Sequence, residues 1–164
     1  MNGFLQMMDS LAGFEELVEA ARQNNTPAQI MGVSDSIRAH LVFCMCEKLG
    51  RPGLVVAHSQ AAAQQLYEDL SFFFGDRVVY FTDGELMFYD VEARAHDVRK
   101  LRLRALDRLC RADGALTVVT SVQALVSVTV PKGLYDRYAI TLRPGDEIEL
   151  DTLIQALTAL GYRR

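Results

Sequence analysis

Hydrophobic positions along the chain alternate between two spacings. Leu11, Phe14, Leu17, Val18 and Ala21 recur every three or four residues, which predicts a helix that Asn24-Asn25-Thr26-Pro27 stops. Positions 54–57 (Leu-Val-Val-Ala), 78–81 (Val-Val-Tyr-Phe) and 116–120 are short runs without polar alternation, the pattern of strands buried on both faces of a parallel sheet. Between them lie helical patterns. One runs from Ser36 to Leu49 and ends at Gly50-Arg51-Pro52-Gly53. The next starts at a Ser59 cap and carries Ala63, Leu66, Tyr67, Leu70 and Phe73. The third, rich in arginine, spans about 97–111. A further apolar run at 28–31 reads as the strand before the first of these helices. Alternation of this kind predicts an α/β fold, a parallel sheet with helices on both faces.

The pattern changes after 120. A short helix over 121–128, a break at Pro131-Lys132-Gly133 and a strand over 138–142 lead to the turn Arg143-Pro144-Gly145-Asp146. Asp151 is then expected to cap a last helix with the stripe Leu153, Ile154, Leu157 and Leu160, and Gly161 stands at its C-terminal cap. A strand–helix pair cannot bury its own faces. The expected organisation is therefore a helical lead-in over 1–27, an α/β domain over 28–134, and over 135–164 the first strand and helix of a truncated second domain.

The stretch from Ala28 to His40 has the layout of a phosphate-binding loop: apolar strand, small polar turn, helix. A working loop reads Gly-x-x-x-x-Gly-Lys-Ser/Thr, in which backbone N–H groups and the lysine hold phosphates and the hydroxyl holds magnesium. Counted from Gly32, the last three places hold Ile37, Arg38 and Ala39. Ile blocks close backbone approach, Arg keeps a charge without the compact ammonium, and Ala offers magnesium no oxygen. The fold is then degenerate P-loop NTPase-like, and no cofactor is expected. The plain alternative is an ordinary strand-to-helix turn capped by Ser34 or Asp35.

Composition narrows the class. With 164 residues, half of them hydrophobic, the chain can bury a core. A formal charge of -4 argues against a module that binds by neutralising DNA phosphates, so a protein partner is expected. The N-terminus lacks a basic n-region and no apolar run approaches the roughly 18 residues of a spanning helix, so a cytoplasmic location is expected. Three cysteines, two of them only two apart at 44 and 46, suggest neither a disulfide framework nor zinc.

Other candidate chemistry is thin. Asp83-Gly84-Glu85 after a strand superficially resembles a magnesium-binding carboxylate pair, but also an ordinary turn. His58-Ser59 ends a strand where α/β folds place ligands, although Ser59 serves equally as a cap. His40 and His96 each lack a second ligand in sequence. Nothing assembles a nucleophile, base and oxyanion donor. On the arginine-rich helix, Lys100, Arg104, Arg108 and Arg111 form one ridge, read as a solvated face. Arg102 falls among Val98, Leu101, Ala105, Leu106 and Leu109, so its guanidinium must reach water or pair with a carboxylate, Asp90 or Asp97, or with a strand-end carbonyl.

The run Glu85-Leu86-Met87-Phe88-Tyr89-Asp90, followed by Ala95-His96-Asp97-Val98 and Leu101-Arg102-Leu103, resembles the Glu-x-Leu-Pro-Tyr-Asp, His-Gln-Asp-Ile and Arg-Leu pattern of the bacterial transcription-repair coupling factors (Mfd). The degenerate loop and the Gly145-Asp146 to Gly161-Tyr162-Arg163 segment fall where that family has them. Phe88 replaces the family's Pro, and Ala93-Arg94 its Ser-Pro.

The resemblance implies a module similar to the excision-repair protein UvrB, a nucleotide-free adaptor followed by the start of a domain that recruits UvrA, with Arg163 and, more weakly, Arg164 as contact residues. It implies structural roles for Tyr89, Asp90 and Arg102, and contacts with RNA polymerase and DNA only through parts of a longer protein. The uncovered last helix suggests self-association through the truncated C-terminal unit. The rival readings are a fragment of an active P-loop ATPase or helicase, and a free-standing α/β interaction domain.

Overall fold

A computed structural model describes residues 2–25, 27–83, 92–112 and 114–162, without the side chains of residues 2, 4 and 92–97. The chain forms two compact units, Met1–Ser127 and Val128–Arg164.

The first unit opens with helices α1 (Asn2–Asp9) and α2 (Phe14–Arg22), followed by α3 (Asp35–Leu49). Then come β1 (Leu54–Ala57), α4 (Gln60–Phe74), β2 (Val78–Phe81), α5 (Glu92–Arg111), β3 (Thr117–Ser121) and α6 (Val122–Val126). The strands form a parallel sheet in the order β1-β3-β2, with Leu54 opposite Val118 and Val78 opposite Thr117. Travel along this sheet reverses direction: β1 to β2 skips one place, and β2 to β3 steps back. Right-handed crossovers then put α4 and α5 on opposite faces.

The core follows that division. Val78, Val119 and Ala57 point to the face where Leu66, Leu70 and Phe74 of α4 and Phe43 and Cys44 of α3 pack. Val79 and Phe81 point to the other, against Ala105 of α5 and Ala124 of α6. α5 lies over β2 and leaves β1's residues on that face, Leu54 and Val56, exposed. α3 is covered by α1 and α2 as well as by α4, which explains why Ala39, Leu41, Phe43 and Cys44, spread around its circumference, are all buried. Serines start two helices: Ser59 Oγ accepts from the Ala62 amide at 3.2 Å, and Ser121 Oγ from the Ala124 amide at 3.2 Å.

Two expected strands are not formed. Residues 28–31 pair with no described strand, and Ile30 and Met31 are 48% and 81% exposed. Their apolar pattern supplies the local propensity, but a strand exists only where a neighbour completes its hydrogen-bond ladder. In the second unit, Tyr138 ends a helix, α7 (Lys132–Tyr138), and 139–142 is not part of any described strand.

The turn at 143–146 is present: the Asp146 amide donates to Arg143 O at 3.0 Å, and Asp146 Oδ2 accepts from the Arg143 amide at 2.8 Å. α8 (Leu150–Ala159) starts from Glu149 rather than Asp151, which lies in its first turn. It ends in a Schellman motif. Gly161 at φ +87° donates to Thr158 O at 3.0 Å, and Tyr162 to Leu157 O at 3.1 Å. No helix among the described residues is long and apolar enough to cross a membrane.

Candidate functional site

The pseudo-phosphate loop is built from α3's first turn. Gly32 takes φ +78°, a left-handed conformation that lets the chain turn into the helix. Ser34 occupies the cap position, but its side chain makes no cap bond and lies 3.0 Å from Ser36 Oγ. Arg38, in the place of the phosphate-binding lysine, is engaged by Asp35 at 2.6 Å in an exposed pair. Ile37 is 41% exposed, and Ala39 faces the core. An anion approaching this helix end meets the Asp35 carboxylate in the first turn, and the guanidinium of Arg38 is engaged by that same carboxylate.

The other place where an α/β fold binds ligands is the C-terminal edge of its sheet. Among the described residues that edge carries a buried polar network. Thr82, Asp83, Thr120 and Ser121 are all buried. Thr120 Oγ1 donates to Phe81 O at 2.8 Å, and Gln60 Nε2 donates to Thr82 Oγ1 at 2.7 Å. Arg102 of α5 reaches across to donate to Thr82 O at 2.7 Å, with its guanidinium 4.3 Å from the centre of the Phe81 ring.

Burial lowers the pKa of Arg102, and the negative charge of Asp83 acts against that shift. Asp83 is therefore the acid whose charge Arg102 feels among the described residues. Of the acids expected from the sequence, Asp90 and the Asp97 side chain lie outside them. The carboxylate once comparable to a magnesium ligand stands beside a guanidinium, and Gly84 and Glu85 also lie outside the described residues. Sequence reasoning missed Asp83 as a neighbour because the turn that carries it is brought to α5 only by the sheet.

The remaining candidates separate. His58 is exposed while Ser59 caps α4. His40 stacks on Phe73, with ring centroids 5.4 Å apart and planes 6° apart. The His96 side chain, Tyr89, Arg163 and Arg164 lie outside the described residues. The ridge on α5 is only partly a solvated face, because Arg108 donates to the carbonyls of Val78 and Asp76 and Arg111 pairs with Asp107 at 2.6 Å. Burial pushes the Cys44 thiol up to about 11 and also raises Cys46, which the Thr117 hydroxyl opposes, so both thiols stay protonated at neutral pH. Among the described residues no three His, Cys, Asp or Glu side chains are grouped to hold a metal.

No family model matches the chain. Over 95% of its length it is similar to UvrABC system protein B: 29% identical to that of Chlorobium limicola, 29% to that of Natronomonas pharaonis and 27% to that of Streptococcus pyogenes. The chain spans about a quarter of the length of these relatives, 25% in each case. It is thus UvrB-like in sequence along nearly its whole extent, on an α/β parallel-sheet framework.

Proposed function

We propose that this chain is a non-catalytic adaptor module of a transcription-coupled DNA repair factor, working in nucleotide excision repair by helping to recruit UvrA to stalled RNA polymerase. One conjunction of observations carries the reading: similarity to UvrB along 95% of the chain, combined with a loop in which Ile37, Arg38 and Ala39 replace the phosphate and magnesium ligands. Similarity of that extent supports a repair role, and loss of the loop chemistry favours an adaptor over the rival ATPase fragment. The motif around Tyr89 and Asp90 supports the coupling factors as the particular family. UvrA is the protein partner, and RNA polymerase and DNA are met through other parts of a longer protein.

The test has two arms. Calorimetric titration with magnesium-ATP is expected to show no saturable binding. Micromolar binding abolished by Gly32→Ala or Arg38→Ala would overturn the adaptor reading in favour of the ATPase. In the second arm, UvrA is expected to bind a chain continued beyond Arg164 through the complete second domain, and to lose most of that affinity on Arg163→Ala. The 164-residue chain should bind weakly or not at all, since one or two arginines cannot replace about 800 Å² of interface per partner. Equal affinity of both chains would move the recruiting surface into the α/β unit.

A further inference from the structure

Two exposed surfaces on opposite faces of the sheet complement one another. On α4, Phe72 is 75% exposed and rests edge-on against Phe73, at a centroid distance of 5.2 Å. Glu68 and Asp69, one turn earlier on the same side, are also exposed, and the helix has no basic residue in its length. Phe72 thus presents an aromatic surface flanked by two carboxylates, a combination that complements a partner offering apolar and basic groups.

On α5 the signs are reversed. Seven of the chain's 17 basic residues fall within its 20 residues, beside three acids, in a protein of net charge -4. Arg108 and Arg111 are tied to this chain, whereas Arg99, Lys100 and Arg104 lie in solvent with no ion pair to a described acid. Leu103, 54% exposed, sits one turn from Arg99 and Lys100 and next to Arg104. α4 packs against Val78 and Val119 and α5 against Val79 and Phe81, so the sheet lies between them and the two surfaces cannot meet within one copy.

We infer that the Phe72 surface of one copy docks on the Leu103 surface of a second copy. Phe72 meets Leu103, and Glu68 and Asp69 face Arg99, Lys100 and Arg104. The contact is heterologous, so each copy keeps one free surface of each kind and further copies add head to tail. One helix laid on another buries less than a stable interface needs, so the association is weak, favoured by high concentration and weakened by salt.

Sedimentation velocity on the 164-residue chain tests it. At low ionic strength the mean sedimentation coefficient should rise up to about 1 mM protein, and about 0.5 M salt should reverse the rise. Phe72→Ser and Leu103→Glu should each remain monomeric. Mixed in equal amounts they should form a dimer that grows no further, since each variant retains the surface the other has lost. Asp69→Lys and Arg104→Glu provide a second pair at exposed positions, with circular dichroism confirming the fold of all four. A monomeric wild type, a mixture that stays monomeric, or association that persists in both single variants would overturn the inference. The last outcome would place self-association elsewhere, as on α8.

Discussion

Replacing Arg102 with alanine removes a charged side chain that joins α5 to the C-terminal edge of the sheet. Its bond to Thr82 O is charge-assisted, and Arg102 is only 9% exposed, which sets the bond on the scale of about 1.5–3 kcal/mol. The contact with the Phe81 ring adds about 0.5–2 kcal/mol. Against these stands the desolvation that already lowers the guanidinium's pKa, relieved when the side chain is gone. The loss should therefore be about 3 kcal/mol, a melting shift of about 6–12 °C for a chain of this size. Arg104→Ala, at an exposed position, should stay within about 0.5 kcal/mol of wild type.

The electrostatic part can be isolated in a double-mutant cycle. Arg102→Met keeps the apolar stem and removes the guanidinium whose charge interacts with buried Asp83, so it should cost nearly as much as alanine. Adding Asp83→Asn to Arg102→Met should recover about 1–2 kcal/mol. With Asp83→Asn alone completing the cycle, urea unfolding followed by circular dichroism reads all six proteins. Equal melting shifts for Arg102→Ala and Arg104→Ala, or a coupling below about 0.5 kcal/mol, would refute the view that Arg102 and Asp83 form one buried unit.

The Cys44 thiol, with its pKa pushed up to about 11, ionises first in the unfolded chain, so stability is full below pH 9 and falls through the folded pKa. Melts between pH 8 and 11 should show a loss of up to about 3 kcal/mol from Cys44 that Cys44→Ala removes, leaving the smaller alkaline loss that the raised Cys46 contributes. Gly53→Ala would set a Cβ 2.8 Å from Cys46 Sγ and 3.3 Å from Thr117 Cγ2. It should cost about 1–3 kcal/mol, part of which Cys46→Ala restores in thermal melts. Gly161→Ala forces a Cβ into the left-handed cap of α8 and should lower stability by about 1 kcal/mol, seen as loss of helical circular dichroism on mild heating.

The sequence alone determined the elements whose signals are local. The β1, β2 and β3 runs show no alternation of apolar and polar positions, and the helices between them show both period and caps, as at Ser59. Gly161 was legible as a helix end because only a residue tolerating φ +87° closes a Schellman motif without strain. The defects of the phosphate loop were legible for a similar reason: its chemistry depends on residue types at fixed spacing, and Ile37, Arg38 and Ala39 lack the needed groups in any fold. Arg102 had to be paired or solvated, since an apolar helix face tolerates a guanidinium no other way.

Only the tertiary structure decided which partners were used. It brought Thr82 O and Asp83 to Arg102 from about 20 positions earlier in the chain, a contact that depends on α5 crossing behind β2. It formed no described strand at 28–31 and made Tyr138 helical, because a strand's free energy comes from its neighbour and no local pattern reveals whether that neighbour is there. It also drew Arg108 back to the carbonyls at the start of β2, and set an acidic aromatic surface and a basic one on opposite sides of the same sheet.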